Sequence, residues 1–370
     1  MAESLAERTY RASPGEGRGL SVSGPVVLRP LGLVEGASAA ALVERGDACR
    51  LAGGPLAFTA CEAFIDEGAR IGMATAPIAE LRAWGRADAA LDVLSARRAP
   101  FAGLLLDRPR VVGVVNVTPD SFYAGSRTPD AGAAIARGEQ QIAEGADMID
   151  VGGASTRPGS SAPEAAEEAR RVVPVVRALA RKGVPISVDT FGAAVMRAAL
   201  DAGASVINDV TALTADPDAL ATLARSNASV ILMHMQGTPE TMQRAPHYGH
   251  AAHEIYRYLA GRVAACEAAG IPRSRIAVDP GIGFGKRAAH NVQLLGAAAM
   301  FHGTGCAVMV GASRKSFIAK LSAKEEAEDR LAGSLAAALT AAGQGVQLHR
   351  VHDVAATRQA LAVRLAATGA

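Results

Sequence analysis

From residue 110 to its end the chain alternates short, continuous apolar runs with longer segments of helical period. The runs are Val111–Asn116, Asp147–Gly152, Pro185–Asp189, Ser205–Asp209, Ser229–His234, Arg275–Asp279, Ala307–Ala312 and Gln347–His352. They are rich in β-branched residues and too short for helices, the pattern of strands buried on both faces. Each is followed by an amphipathic or Ala-rich segment, the last being Val354–Ala367. Strand–helix alternation of this kind predicts a parallel sheet covered by helices. Eight such units in roughly 260 residues predict a (β/α)8 TIM barrel, whose usual length is about 250 residues. A doubly wound open sheet is the alternative, but it rarely runs eight units without a Gly-rich dinucleotide turn after its first strand; the chain has none there.

The part before residue 106 obeys a different pattern, so the barrel is expected over 106–370 with an N-terminal α/β extension. Residues 1–24, rich in Ser, Gly and Arg, read as a flexible leader. Residues 25–105 read as an accessory region whose role the sequence does not disclose. Within it, VVLRPLGL predicts a strand and turn, Ala37–Arg45 a helix, and Leu51–Thr59 a second strand. Cys61–Glu67 and Ala79–Arg97 are expected as further helices. Glu62 and Asp66 would share a face of the first of these and be solvated.

Composition narrows the class of protein. Of the 370 residues, 49% are hydrophobic, enough for a sizeable core. Only 4% are aromatic, so helices are expected to pack closely through Ala and Gly. The formal net charge of +2, without a long basic run, argues against nucleic acid as a partner. Cys49, Cys61, Cys266 and Cys306 are far apart and lack CxxC spacing, so reduced, partly buried thiols are expected rather than disulfides or a thiolate zinc site. The N-terminus has acidic residues and no apolar signal segment, and no run approaches the ~20 apolar residues of a membrane span. A soluble, cytoplasmic protein is the expectation.

Candidate chemistry lies where the strands end. Val111–Phe122 switches from an apolar run into Asn116, Thr118, Pro119, Asp120 and Ser121, so Asn116 should close the first strand with Asp120 and Phe122 on the loop beyond. The other ends carry Gly152–Gly159, Asp189, Asn208 with Asp209, Met233 with His234, Asp279, Lys315, and Arg350 with His352. Asn, Asp and Ser at such places are commonly turn formers or caps. In a barrel, however, all strand ends open on one mouth, where catalytic groups gather. Asp189, Asn208 and Asp279 follow buried runs and should face that mouth, where carboxylates and an amide suit a heterocycle with paired NH donors. A divalent metal is the alternative for the same groups. Lys315, Arg350 and His352, with Arg157 on a loop, form the cationic set. Ser313–Phe317 places cations and hydroxyls at an expected helix start, and Arg350 and His352 share a strand face. Together they could grip a phosphate. Gly281–Lys286 is Gly-rich but lacks P-loop and dinucleotide spacing. His247, His250 and His253, three apart, would splay by about 300° on a helix and are read as loop and helix start; His290 and His302 are read as surface positions.

The motifs NVTPDSF, IDVGGASTRPG, SVDT, VINDV, MHMQGTPETMQ, VDPGIGFGK, GASRKSF and RVHDV occur in this order between Arg110 and about Leu361. The chain thereby resembles the dihydropteroate synthases. The resemblance implies a barrel that joins (7,8-dihydropterin-6-yl)methyl diphosphate to 4-aminobenzoate, giving 7,8-dihydropteroate and diphosphate in folate synthesis. This is the reaction that sulfonamides inhibit. By match of motifs, Asp189, Asn208, Asp279 and Lys315 would hold the pterin, with Met233 against its ring. Asn116, Thr156, Arg350 and His352 would hold the diphosphate, Asn116 through Mg²⁺. Asp120, Phe122, Ser155, Thr156, Arg157 and Pro158 would lie on two loops closing over the aminobenzoate, beside Phe284 and Ser316. Asp189, Lys315, Arg350 and His352 would carry the catalysis, and a homodimer is implied.

Two positions depart from the family pattern. Its usual Glu before STRP is Ala154 here, and its usual Ser-Asp-Gly-Gly after NVTPDSF is Tyr123–Ser126. Both bear on the second substrate, so a substituted aminobenzene, as in methanopterin-type pathways, stays open. Other readings are a pterin-dependent methyltransferase, which has no diphosphate to hold, and a non-catalytic pterin-binding homologue.

Overall fold

The computed structural model describes residues 8–10, 26–66, 71–117, 131–154 and 163–369. Its larger part is a closed, all-parallel barrel of eight strands in the order β10-β11-β12-β13-β6-β7-β8-β9. The strands are β6 (Arg110–Asn116), β7 (Met148–Gly152), β8 (Ile186–Asp189), β9 (Val206–Asp209), β10 (Ser229–Met233), β11 (Ile276–Asp279), β12 (Ala307–Val310) and β13 (Leu348–Val351). All eight expected strands form, with bounds shifted by a residue or two. Around them run α4 (Ala131–Ala143), α5 (Ala165–Leu179), α6 (Ala193–Asp201), α7 (Ala219–Ala224), α8 (Ala251–Ala268), α9 (Ala288–Gly296), α10 (Ser316–Leu321), α11 (Leu331–Gly343) and α12 (Val354–Thr368).

Apart from the part-buried Arg110, Asn116, Asp189 and Arg350, the strands are buried, because one face meets the helices and the other fills the barrel. Val111, Val115, Ile149, Val151, Ile207 and Val278 pack outward into the main core. Inward, Val112, Met148, Val206, Ile231, Ala277, Met309 and Leu348 form a separate apolar cluster, joined by Phe101 from the segment just before β6. These inward residues lie toward the amino ends of their strands, so Phe101 closes that end of the barrel. Side chains two residues further on share the same inward face, because strand periodicity is two. Val112 leads to Val114 and Asn116, Met148 to Asp150, Val206 to Asn208, Ile231 to Met233, Ala277 to Asp279, and Leu348 to Arg350. An apolar floor thus carries a polar layer at the carboxyl ends, and the site is a consequence of that alternation.

The N-terminal region is a module of its own, outside the barrel. Strands β1 (Arg8–Tyr10), β2 (Val27–Val34), β3 (Cys49–Arg50), β4 (Ala57–Asp66) and β5 (Ile71–Pro77) form an antiparallel sheet, with β1-β5-β4-β2 in order and β3 on β4. Helices α1 (Gly36–Glu44), α2 (Ile78–Trp84) and α3 (Asp88–Ser95) complete it. Three expectations are corrected here. The expected helix Cys61–Glu67 does not form over its described part: Cys61–Asp66 belongs to β4, held by pairing to β2 on one side and β5 on the other, and cross-strand partners override its local helical spacing. Ala79–Arg97 is divided into α2 and α3 at Gly85, whose φ of 72° ends α2 in a left-handed turn. Arg8–Tyr10, read as leader, pairs with β5 in the register Tyr10↔Ile71.

The module is fastened along the barrel flank. Val27, Phe64 and Ile71 enter the barrel's own core cluster. Asp66 pairs with Arg257 of α8 at 3.2 Å, so Asp66 is not a solvated helix residue; Glu62 likewise pairs with Arg29 at 3.1 Å. Glu35 pairs with Arg364 of α12. Arg98, buried beyond α3, donates to the carbonyls of Val93, Ala96, His302 and Cys306. His302 is therefore no surface residue: it is fully buried, its Nε2 lies 3.0 Å from the Gly345 carbonyl, and burial beside Arg98 pulls its pKa down to about 3. His253 is buried as well, stacked on Phe64, while His250 caps α8 by accepting from the His253 amide at 3.2 Å. All four cysteines are free thiols.

Candidate active site

The polar layer is organised by one guanidinium. Arg350 of β13 donates through Nε to Asp150 of β7 at 2.7 Å and through a terminal nitrogen to Asp189 of β8 at 3.0 Å. Asp150 also accepts from the Asn208 amide at 3.2 Å, which ties β9 to the same group. Four strands are thereby linked across the mouth by a charge-assisted network that fixes each side chain's direction. Asp150 was not singled out from the sequence. It lies two residues inside the end of its strand, and inspecting strand ends alone passes over it; the inward parity of Asp150 with Gly152 is the signal that finds it. Its side chain is 1% exposed, and its Oδ1 accepts no hydrogen bond among the described residues.

Asp189 sits at the end of β8 with Arg350 on one side and Gly152 on another. A Cβ on Gly152 would stand 3.7 Å from the Asp189 Cβ and 3.5 Å from Asn116 Oδ1, so the absence of a side chain there leaves the gap between those two residues open. Burial pushes the Asp189 carboxyl up to about 7; Arg350 opposes this, and the nearby Asp150, Glu168 and Asp209 add to it. Glu168, in the first turn of α5, is itself buried, and burial raises its pKa. Asp209, by contrast, is a turn former: its oxygens accept from the Thr211 amide and hydroxyl and the Leu213 amide, all within 3.0 Å.

Across the mouth, Asp279 ends β11 and accepts from the Gly281 amide at 2.7 Å, while burial raises its pKa and Lys315 opposes the rise. Gly281, at φ 70°, runs so close beneath the preceding loop that a Cβ would fall 2.1 Å from the His234 carbonyl oxygen. Lys315 reaches the same loop. Its ammonium donates to the Ile282 carbonyl and lies 4.6 Å above the Phe284 ring. Burial draws its pKa down to about 8, with Asp279 holding it up. Met233 is buried at the end of β10 between these groups and Asn208.

The segment Ser313–Phe317 places only one of its two cations in the site. Arg314 adopts φ 58°, uncommon without glycine, and its guanidinium forks onto Asp353 at 2.6 and 2.9 Å. That left-handed residue turns the chain so that Lys315 faces Asp279, while Ser316 is exposed as the first residue of α10. His352 also differs from expectation. Burial and the neighbouring Arg350 and Arg314 draw its pKa down to about 4, so it is a neutral imidazole, not a member of the cationic set. Its Nδ1 lies 3.1 Å from the Ser313 hydroxyl. The β13 strand carrying Arg350 is an interior strand of the barrel, paired with β12 and β6. His234, named among the strand ends, is fully buried, with Lys286 3.0 Å from its Nδ1.

Of the residues expected in the site, Asn116, Asp189, Asn208, Met233, Asp279, Lys315, Phe284, Ser316, Arg350 and His352 come from strand ends or following loops at one end of the barrel. Asp120, Phe122, Ser155, Thr156, Arg157 and Pro158 lie outside the described residues, as do Tyr123–Ser126. Ala154 is described and half-buried.

Comparison with known proteins fits this geometry. The family model described as pterin binding enzyme matches residues 112–352. The dihydropteroate synthase of Escherichia coli (strain K12) is 46% identical over 259 residues, 70% of this chain and 91% of that protein. The solved structure of Xanthomonas albilineans dihydropteroate synthase with 4-aminobenzoic acid aligns with a TM-score of 0.68 at 49% identity, covering 73% of this chain and 97% of that one. Its complex with 7,8-dihydropteroate aligns with a TM-score of 0.64 at 44% identity over the same shares.

Proposed function

The chain belongs to the pterin-binding enzymes, and within them to the dihydropteroate synthases; from that premise we propose how its mouth divides the work of the reaction. The reaction is the condensation of (7,8-dihydropterin-6-yl)methyl diphosphate with 4-aminobenzoate, yielding 7,8-dihydropteroate and diphosphate. The observation that carries the assignment of roles is the inward layer of Asp150, Asp189, Asn208 and Arg350 facing Asp279 and Lys315. It offers acceptors for the amino-pyrimidine edge of a pterin and donors for its carbonyl. Asn208, Asp279 and Lys315 hold the ring, and Met233 packs on it.

The bond that breaks joins the pterin methylene carbon to a diphosphate oxygen. Arg350 lies between Asp189 and the end of β13, where its charge favours an anion leaving toward His352. His352, which burial and its cationic neighbours draw toward the neutral form, offers a ring N–H to that anion. As the bond breaks, positive charge spreads into the pterin, and Asp189 offsets it. The aromatic amine then forms the new C–N bond, with Asp120, Phe122, Ser155, Thr156, Arg157, Pro158, Phe284 and Ser316 assigned to its side. Aniline nitrogen is a weak base that loses its proton readily after attack, so no strong general base is required.

Mg²⁺ belongs to the proposal too, and the residues fit it. Magnesium takes one or two protein oxygens and completes its shell with phosphate and water. Asn116 would supply such an oxygen at the end of β6, beside the gap that Gly152 leaves open. Bound there, the ion would neutralise charge on the departing diphosphate. A homodimeric assembly and a cytoplasmic location complete the reading; the four free thiols agree with a reducing compartment, and no helix among the described residues is long and apolar enough to cross a membrane.

The decisive measurement is diphosphate release from the pterin diphosphate, with 4-aminobenzoate, with a ribosylated aminobenzene, and with neither. Release dependent on 4-aminobenzoate is expected. Release without any amine, or none at all, would overturn the assignment; release only with the ribosylated amine would move it to a methanopterin-type substrate.

A pH profile tests the roles of Asp189 and Lys315. Asp189 must be ionised to offset charge, and that form is lost as pH falls through about 7. Lys315 must be protonated to donate, and that form is lost as pH rises through about 8. The profile of kcat/KM for the pterin diphosphate should therefore be a narrow bell with limbs near those two values, as apparent constants of a coupled set. A profile flat from pH 6 to about 9 would contradict both roles.

A further inference from the structure

We infer that the N-terminal module is a positioning element for the pterin side of the site, acting through Phe64 on the first turn of α8. The inference rests on the synthase reading above and deepens it, because the family match begins only at residue 112 and leaves the module unaccounted for.

Phe64 sits near the carboxyl end of β4 and is 1% exposed. Its ring stacks on His253 at 4.7 Å and meets the His250 ring edge-on at 4.9 Å. Those two imidazoles are the first turn of α8: the His250 side chain caps the helix on the His253 amide. One turn further along, Asp66 holds Arg257. The module thus clamps the start of α8, which is also where the long loop from β10 ends.

That loop supports the pterin side. Gln236 and His247 pair reciprocally across it at 3.1 and 3.2 Å. Two of its side chains then hold the Gly281–Lys286 turn: Gln243 donates to the Gly283 carbonyl at 2.8 Å, and the Tyr248 hydroxyl donates to the Gly285 carbonyl at 2.9 Å. The turn carries the Ile282 carbonyl and Phe284 ring that fix the Lys315 ammonium. Tyr248 stands two residues before His250, so movement of the α8 cap is passed to Gly285 through a single buried side chain. Packed contacts of this kind transmit displacement because cores are dense and poorly compressible.

The test compares KM values for the two substrates in the full-length protein. Phe64→Ala is expected to raise KM for the pterin diphosphate by about fivefold, while KM for 4-aminobenzoate stays within about twofold, a size usual for positioning residues remote from a ligand. Phe64→Leu, which restores apolar volume, should recover part of that loss. Asp66→Asn, which loosens the same clamp without opening a cavity, should shift the same KM in the same direction and carries the test if Phe64→Ala does not fold. Leu91→Ala, in the module's own core, serves as the stability control, assayed well below its melting temperature. It should lower Tm and leave both KM values unchanged. If Phe64→Ala and Asp66→Asn also lower Tm alone, with both KM values at wild type, the module is only a structural appendage and the inference falls. A wild-type protein that releases no diphosphate would instead remove the synthase reading, and this inference with it.

Discussion

Asp189→Asn is expected to lower turnover by about 10²–10³-fold, with KM for 4-aminobenzoate within about twofold of wild type, the range seen when one preorganised electrostatic group is lost. The substitution keeps the volume and removes the charge. The neighbouring carboxylates have partners of their own: Asp150 takes Arg350 and Asn208 on one oxygen, and Asp279 takes the Gly281 amide. The carboxylate is also held in an environment that resists ionisation, since burial pushes it up to about 7. A group kept short of full solvation is one whose charge is strongly felt by a cation forming beside it. Steady-state kinetics with both substrates varied would check this. A loss shared equally between turnover and aminobenzoate affinity would show that Asp189 merely shapes the pocket.

Arg350→Ala is expected to reduce kcat/KM by about 10³-fold through loss of diphosphate stabilisation and to destabilise the fold by about 3–5 kcal/mol, because Asp150 and Asp189 lose the cation they share. Asp150 and Asp189 would then repel each other without that cation. The stability loss has a predicted pH dependence. With Arg350 gone, Asp189 has a folded-state pKa raised further above its unfolded value. The folded variant therefore gains relative stability at low pH, where the carboxyl is protonated in both states, and loses it as pH rises through the folded pKa. Urea denaturation should show a larger difference from wild type at pH 8 than at about pH 5. An equal difference at both would mean that the two carboxylates are not held in check by Arg350. Arg350→Lys should recover charge but not the forked geometry, and so only part of either effect.

The barrel was legible in the sequence because each strand is a short β-branched run with helical sequence on either side, and local pattern suffices for that. The ends of those runs gave Asn116, Asp189, Asn208, Met233 and Asp279 correctly as residues at one end of the barrel. Asp150 escaped notice because its partner Arg350 lies 200 residues away, and nothing local distinguishes its carboxylate from a polar strand residue. The protonation of His352 was hidden for a related reason: Arg350, Arg314 and burial together set it, and only the fold brings them near. Arg314 shows the reverse case, a cation that the spacing of SRKSF assigned to an anion but that Asp353 holds. In the N-terminal region, EAFID has helical spacing, yet two flanking strands claim its backbone. His302 and His253 carry no sign of burial in their own neighbourhoods; Arg98 and Phe64, far away in the chain, bury them.

Arg98 and Phe101 determine where this protein can be cut. The two parts suggest a division at residue 106, but a fragment starting there would lack Phe101, and the ring of Val112, Met148, Val206 and Leu348 would open to water. It would also leave the carbonyls of His302 and Cys306 without the guanidinium that binds them. A barrel expressed alone should therefore begin before Arg98, within or ahead of α3. Even then it would show the flank of α8 on which Phe64 lies. Gene fusions, domain swaps and crystallisation truncations of this protein are best planned with the linker assigned to the enzyme rather than to the module.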